Sequence, residues 1–367
     1  MNSDLHAQLT QAALSAGFPL SGGVDLDRVL DTELFKSDVA RYDSWIQAGY
    51  AGKMEYLVRG RDRRADPRLL FPDAQSIFCV AAPYPKTPGG QPDPVRGPRY
   101  ARYLHGKDYH TEIASRLEAL MTEIAARNAK LDLKFKVCVD TSAVLERTWA
   151  ALAGLGWIGK NTLLIHPQHG SYLFLASVLI NQKVERGATP LPNYCGNCTR
   201  CLNACPTEAF PRAGVLNAKS CISYLTLEKR GDLEVTEDFK RKMGTWVAGC
   251  DVCQEVCPFN TKASKLVSDE KLPDASAIEK NDWLTLLRET SEEYKLRVKD
   301  SSLSRVKPKD FSRNLAVALR NAVMANSSQS WSAEIIKAVT SRYEVEVDPA
   351  ARAEWLGCMR HLKRITA

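Results

Sequence analysis

No apolar run in this sequence approaches the roughly 20 residues that a membrane-spanning helix needs. The longest nearly unbroken stretch, YLFLASVLI at Tyr172 to Ile180, predicts a buried strand instead. The opening MNSDLHAQLTQAALSAGF lacks the basic start and apolar segment of a secretory signal, and it carries no twin-arginine motif. A cytoplasmic protein with no membrane partner is therefore expected. Phosphate-binding loops are missing too. GLGWIGKN at Gly154 to Asn161 matches neither G-x-x-x-x-G-K-[ST] nor G-x-G-x-x-G in a strand-turn-helix setting, so nucleotide binding has little support. A large charge excess is also absent, the net being +7 over 367 residues. One local concentration stands out, RGRDRRADPR at Arg59 to Arg68, with five arginines in ten residues. It suits either a phosphate backbone or a solvated face.

What is present is a chain of ordinary globular composition, 44% hydrophobic and 25% charged, long enough for two or three domains. SIFCVAAPY at Ser76 to Tyr84, KFKVCVD at Lys134 to Asp140, and Ser171 to Ile180 predict strands. Between them, Tyr109 to Lys130 spaces Ile113, Leu117, Leu120 and Ile124 as one helical face. Strands separated by helices predict an α/β domain over residues 1–190. PKTPGGQPDPVRGP at Pro85 to Pro98 predicts a long loop. A cysteine-rich region follows over 191–262, and the polar TKASKLVSDEKLPDASAIEKND suggests a boundary after it. Residues 263–367 predict a linker and an all-helical, repeat-like tail, in which FSRNLAVALRNAVMA sets Leu315, Leu319 and Ala322 on one stripe. That tail suits a capping scaffold or a binding surface.

Seven of the eleven cysteines lie in CGNCTRCLNACP and CDVCQEVCP. The odd total and the reducing compartment argue against a disulfide framework. Cys195, Cys198, Cys201 and Cys205-Pro206 spell C-x2-C-x2-C-x3-C-P, the run with which bacterial ferredoxins hold three corners of one four-iron cluster and reach across to another. Cys250, Cys253 and Cys257-Pro258 repeat the ending one cysteine short, and Cys221 in CISYLT is the candidate for the missing ligand. The crossover rule then predicts two 4Fe-4S clusters, one on Cys195, Cys198, Cys201 and Cys257, the other on Cys205, Cys221, Cys250 and Cys253. Paired CxxC knuckles also build four-cysteine zinc sites, and the x3-C-P endings favour iron and sulfur. Cys79, Cys138 and Cys358 fall in apolar patterns and suit packing as small hydrophobes.

Clusters behind roughly 190 residues of another domain imply that electrons are delivered to something held there. Asp140 closes the strand pattern KFKVCVD, where a carboxylate can meet a ligand. An apolar surround would raise its pKa and let it donate a proton near neutrality. A helix N-cap is the other reading of an aspartate at such a turn.

The succession GYAGKMEYL, DPRLLFPDAQSIFCVAAPY, ARYLHGKDYH, VDTSAVLERTWAALAGLGWIGKNTLLI, HGSYLFL, CGNCTRCLNACPTEAF, CISYLTLEKRG and CDVCQEVCPFN resembles the epoxyqueuosine reductase family from about Gly49 to Asn260. The resemblance implies an N-terminal cobalamin-binding catalytic domain, a ferredoxin-like domain with the two clusters, and a HEAT-like helical C-terminal region. It implies reduction of epoxyqueuosine to queuosine in the tRNA anticodon, the last step of queuosine biosynthesis. Asp140 stands at the position of the family's proton donor. Arg64, Asp140, Asn161, Leu164, Leu175 and Ser223 match cobalamin contacts, and Lys229 and Arg230 match a region placed near tRNA. The lysines and arginines of EKRG and FKRKMG are further candidates for phosphate contact. The D-x-H-x-x-G cobalt-ligand pattern is absent, since DYHTEI at Asp108 to Ile113 has isoleucine in place of the glycine. A reductant such as a flavodoxin or ferredoxin is implied as partner, and a monomer is expected. The alternatives are a corrinoid iron-sulfur reductase of a small molecule, such as a reductive dehalogenase-like enzyme, and an electron-carrying module without catalysis of its own.

Overall fold

The structure, a computed structural model, describes residues 3–83, 93–184, 189–263, 282–326 and 331–366. Four strands, β1 (Leu20–Asp25), β2 (Ser76–Pro83), β3 (Phe135–Cys138) and β4 (Leu173–Ile180), form a sheet in the order β1-β2-β4-β3. Every neighbouring pair is antiparallel, with Asp25 opposite Ser76, Ser76 opposite Ile180, and Cys138 opposite Ser177. The mixed α/β layering agrees with the sequence, but the parallel sheet that usually accompanies strands separated by helices does not form.

Both faces of the sheet are covered, which is why β2 and β4 read as near-continuous apolar runs. Phe78, Val80 and Ala82 point to one side, where helices α1 (Ser3–Ser15) and α2 (Tyr109–Arg127) bring Leu5, Leu9, Ile113, Leu117 and Ile124. Ile77, Cys79 and Ala81 point to the other and meet Phe35, Leu155 and Trp149, the last on α3 (Glu146–Leu152). Cys79 and Cys138 are buried in this second layer, and Cys358 in the helical tail, each packed as a small apolar side chain. The Tyr172 to Ile180 segment is a strand, and among the described residues no helix is long and apolar enough to cross a membrane.

Two devices fix the cysteine region to this layered body. Ser171, just before β4, donates its N–H to Asn260 Oδ1 (2.6 Å) and its hydroxyl to Gln254 Oε1 (3.0 Å). Arg102 donates its backbone N–H to the buried Asp251 at 2.7 Å. Behind the cysteines stands the tail, with α4 (Ile222–Leu227) of the cysteine region against α5 (Pro308–Ala325), and α6 (Ala333–Val345) and α7 (Pro349–Thr366) beyond.

The Leu315, Leu319 and Ala322 stripe is buried, but so is every other residue from Asp310 to Val323. Three of the polar ones, Arg313, Asn314 and Asn321, are consumed by backbone carbonyls of the cysteine region. Arg313 donates to the carbonyls of Leu225 (3.1 Å), Lys229 (3.1 Å) and Gly231, while Asn314 donates to Thr226 (2.8 Å) and Val247 (2.9 Å). Asn321 does the same for Lys240 (2.7 Å) and Gly244 (2.8 Å). The expected boundary in TKASKLVSDEKLPDASAIEKND and most of the loop at Pro85 to Pro98 lie outside the described residues.

Candidate active site

The thiols fall into two neighbourhoods. A cavity of about 230 Å³ is lined by Cys195, Cys198, Cys201 and Cys257, together with Lys160, Asn161, Tyr194 and Phe259. Burial raises the pKa of Cys201 and Cys257, and the thiols facing them raise it further: Cys195 and Cys257 act on Cys201, Cys195 and Cys198 on Cys257. In the second neighbourhood burial raises Cys221, Cys250 and Cys253. Cys205 adds to Cys221, Cys221 and Cys253 add to Cys250, and Cys221, then Asp251, Cys201 of the first set and Cys205 add to Cys253. Among the described residues no three His, Cys, Asp or Glu side chains converge as the ligands of one ion would. The first four thiols surround a volume, and such a donor set fits a cluster of several irons better than a single zinc held at about 2.3 Å by each sulfur.

The hairpin of Trp157–Ile158 and Leu164–Ile165 braces these thiols. Trp157 Nε1 lies 3.5 Å from Cys195 Sγ, Lys160 Nζ donates to the carbonyl of Gly196 at 2.6 Å, and Asn161 Nδ2 reaches the carbonyl of Cys253 at 3.4 Å. The glycines of GLGWIGKN serve close packing and not phosphate binding, since a Cβ on Gly156 would stand 2.4 Å from the Ile165 carbonyl. Asn161 thereby touches both neighbourhoods.

Asp140 lies two residues beyond β3 with a left-handed backbone (φ 49°), and its side chain is 54% exposed. It caps no helix. His110 Nε2 meets Asp140 Oδ2 at 2.8 Å, while His110 Nδ1 meets Asp108 Oδ1 at 2.6 Å. Ionised carboxylates only accept, so a ring bonded to two of them uses an N–H on each nitrogen, which is the imidazolium. Burial opposes that charge, but the two carboxylates outweigh it and hold His110 above its ordinary value. Asp140 is the mirror case. Burial works to raise it, yet the bond and charge of His110, with Tyr109 and Arg305, hold it below the usual carboxylate range.

The expected rise at Asp140 is therefore corrected, because a cation thirty residues earlier in the chain sits against the carboxylate. The group that rises is Glu146 at the start of α3. Burial and then the charge of Asp140 push it up to about 8, and its Oε1 accepts the Asp140 N–H at 2.7 Å.

The matched segments and relatives can now be set beside this geometry. Residues 64–141 match the family described as "Epoxyqueuosine reductase QueG, DUF1730", and residues 194–260 match a 4Fe-4S double cluster binding domain. An epoxyqueuosine reductase of Cyclobacterium marinum is 35% identical over 294 residues, covering 80% of this chain and 92% of the relative. The chain belongs to the epoxyqueuosine reductase family. One of Gloeobacter violaceus is 37% identical over 316 residues, covering 85% and 95%. A solved epoxyqueuosine reductase with a tRNA-Tyr epoxyqueuosine-modified tRNA stem loop superposes with a TM-score of 0.77 at 29% identity, covering 98% of this chain and 99% of that one.

The other residues that resemblance to the epoxyqueuosine reductases singled out are scattered more widely. Arg64 is buried near the ring of Tyr42, and its Nη1 has no hydrogen-bond partner. Tyr56 joins it to Asp140: partial burial, then the charges of Glu228 and Asp140, push the phenol up to about 12, and Arg64 opposes them. Ser223 stands in the first turn of α4 with its N–H toward Cys221. Leu164 is packed inside the core, Leu175 is half-buried on β4, and Asn161 stands on the wall of the thiol cavity.

Lys229 departs from expectation. It is 4% exposed and its ammonium is held by Glu234 at 2.7 Å, so it is a strut and not a surface cation. Arg230 is half-exposed and reaches Asp310 at 3.4 Å and the Arg305 carbonyl at 3.0 Å. In FKRKMG, Lys240 is buried against Glu237 and Glu354, and Arg241 and Lys242 share Asp238. Within the arginine-rich stretch Arg61 grips Asp43 (2.6 Å) and Arg68 grips Asp66 (2.8 Å), leaving Arg59 and Arg63 as its exposed cations without a carboxylate.

Sequence reasoning passed over His110, Asp108 and Glu146. The D-x-H of DYHTEI carried the signal: Asp108 caps α2 and accepts both the N–H and the Nδ1–H of His110, which aims the other ring nitrogen at Asp140.

Proposed function

We propose that this chain reduces epoxyqueuosine to queuosine in the anticodon of tRNA, with electrons passed from two four-iron clusters to cobalamin and Asp140 as the proton donor. The observation that carries the reading is the Asp108–His110–Asp140 line set next to the buried thiols. From Asp140 the contacts run through its N–H to Glu146, from the adjoining Arg147 to the Thr162 carbonyl (3.2 Å), and from Asn161 to the carbonyl of Cys253. Opening an epoxide to release its oxygen as water consumes two electrons and two protons, so an acid beside a reducing centre is the required pairing.

The residues present fit both cofactors. Four thiols line the first cavity, and for cobalamin the buried Nη1 of Arg64, without a hydrogen-bond partner, offers a donor. Bound cobalamin supplies the low-valent cobalt that the reduction needs. The chain's own work is to orient the ionised Asp140 and to hold a proton against it for delivery. His110 carries that proton between two carboxylates, and Asp108 fixes the ring so that Nε2 faces Asp140. The left-handed turn at Asp140 is held from behind by Glu146, leaving the carboxylate open to a ligand.

A single-stranded anticodon base, splayed out of its loop, suits an exposed acid of this kind. For the phosphates, Arg230, Arg59 and Arg63 are the available cations, and Lys229 is not. We place this work in the cytoplasm, where tRNA is, and in a single copy of the chain. Family membership displaces the small-molecule and electron-module alternatives.

The deciding experiment is an anaerobic assay of the reconstituted protein with cobalamin and a strong reductant on an epoxyqueuosine-containing anticodon stem-loop, read by nucleoside mass spectrometry. Cobalamin-dependent loss of one oxygen is expected. No conversion with both clusters and cobalamin in place would overturn the reading.

A further inference from the structure

The first thiol cavity opens among side chains that the reduction of RNA does not use. Tyr194 on its lining is 51% exposed, and its ring packs edge-on against Trp157 at 5.1 Å, the same indole whose Nε1 touches Cys195. Gly196, Asn197, Thr199 and Arg200 are exposed, so the loop that carries Cys195 and Cys198 is itself surface. Lys160 and Arg200 line the mouth. The turn of Arg212 to Val215 is tied to it by the N–H of Gly214 on the Lys160 carbonyl (2.8 Å), which sets the exposed Arg212 alongside.

The charge of this rim is unbalanced. Many arginines elsewhere are matched to acids, as in Arg61 with Asp43, Arg241 with Asp238 and Arg297 with Glu289. Among the described residues Arg200 and Arg212 have no such partner, and Lys160 bonds a carbonyl. Between Thr189 and Ser220 the only acid is Glu208, against Arg200, Arg212 and Lys219. The thiols of the second set are partly exposed, and its Cys250 and Cys253 adjoin the buried Asp251 and the tail-braced strand Trp246–Ala248.

We propose that Tyr194, Lys160, Arg200 and Arg212 form the docking surface of a small acidic electron-carrier protein, with the first thiol set as the port of electron entry. This rests on the reading that those thiols hold a four-iron cluster. An exposed aromatic over a redox centre with unpaired cations around it gives an acidic partner both an apolar anchor and long-range attraction. One electron leaves the carrier's reduced flavin and enters the cluster. No bond is made or broken and no proton moves in that step, and two such transfers supply the pair that an epoxide consumes. RNA is the less favoured occupant, because none of the side chains that touch Asp140 belongs to this mouth.

The test is stopped-flow reduction of the holoenzyme by reduced flavodoxin, comparing wild type with an Arg200→Glu/Arg212→Glu double variant and with Tyr194→Ser. At low salt the charge-reversed protein should react about tenfold more slowly, and its dependence on ionic strength should flatten. Its cluster potentials, and its reduction by photoreduced deazaflavin, should match wild type. An unchanged rate with flavodoxin would overturn the proposal. An equal loss with deazaflavin, or a shifted potential, would show that the cations tune the cluster instead. Loss of stem-loop binding in the double variant with flavodoxin kinetics intact would assign the rim to RNA. Iron analysis and electron paramagnetic resonance of a Cys198→Ala variant test the underlying reading separately: if the wild-type signals persist there, the first set holds no cluster and the docking argument loses its port.

Discussion

The two thiol sets are built from the same motif and placed in opposite surroundings. The first lines a cavity beside the exposed Tyr194 and Arg200, whereas the second adjoins α4, the buried Asp251 and the strand that α5 braces. Equivalent ligands in unequal burial give unequal redox centres, since burial disfavours extra charge on a cluster and exposure favours it. Access to a large electron carrier, and not the potential, carries the proposed direction, with entry at the set whose cavity Tyr194 and Arg200 line and exit at the other.

The sharpest way to break this comparison is to remove one sulfur from each side. Cys253→Ala should cut iron from about eight to about four per chain and abolish turnover with every reductant. Cys198→Ala should lose as much iron, yet let a small diffusible reductant still feed the second cluster. Identical behaviour of the two in iron content and turnover would erase the distinction between entry and exit.

On the exit side, Asp140→Asn should retain both clusters and cobalamin by their spectra and slow reduction by about 10²- to 10⁴-fold. Wild-type turnover in that variant would remove the proton-donor role. His110→Gln should cost less, roughly tenfold, and change the shape of the pH profile. In wild type the rate should fall on the alkaline side as His110 loses its extra proton, and the glutamine variant should lack that limb. The histidine pairings also stabilise the fold below about pH 6.5, and that contribution is lost as pH climbs through the raised value.

Glu146→Gln carries the smallest effect and touches stability. An unfolded chain ionises this carboxyl near its ordinary 4.5, but the folded site resists until about 8, so wild type loses stability as pH rises across that window. Glutamine still accepts the Asp140 N–H. The variant should show a flatter profile in thermal melts and gain stability over wild type as the pH rises toward 8.

Cysteine spacing is itself a geometric constraint, and the four thiols it assigns to the first cluster line one cavity. The position of Asp140 was legible from the strand ahead of it, but its electrostatics were not. They depend on His110, which reaches the site from α2, and on Glu146, whose burial no local pattern announces. The surface charges misled for a related reason. Lys229 and Lys240 look like solvated cations in EKRG and FKRKMG, and each is buried against an acid, Lys229 on Glu234 and Lys240 on Glu354 from the tail. Arg313, Asn314 and Asn321 broke the apolar stripe of α5 on paper, yet they are the residues that fasten it.

That fastening bears on how the protein is made. A nascent chain that has emerged as far as Ala263 already owns all eight thiols, but not the helix that receives the carbonyls of Leu225, Thr226, Lys229, Gly231 and Val247. The wall behind the second set is synthesised after its thiols, so iron delivered before α5 has emerged meets a site that this helix does not yet brace.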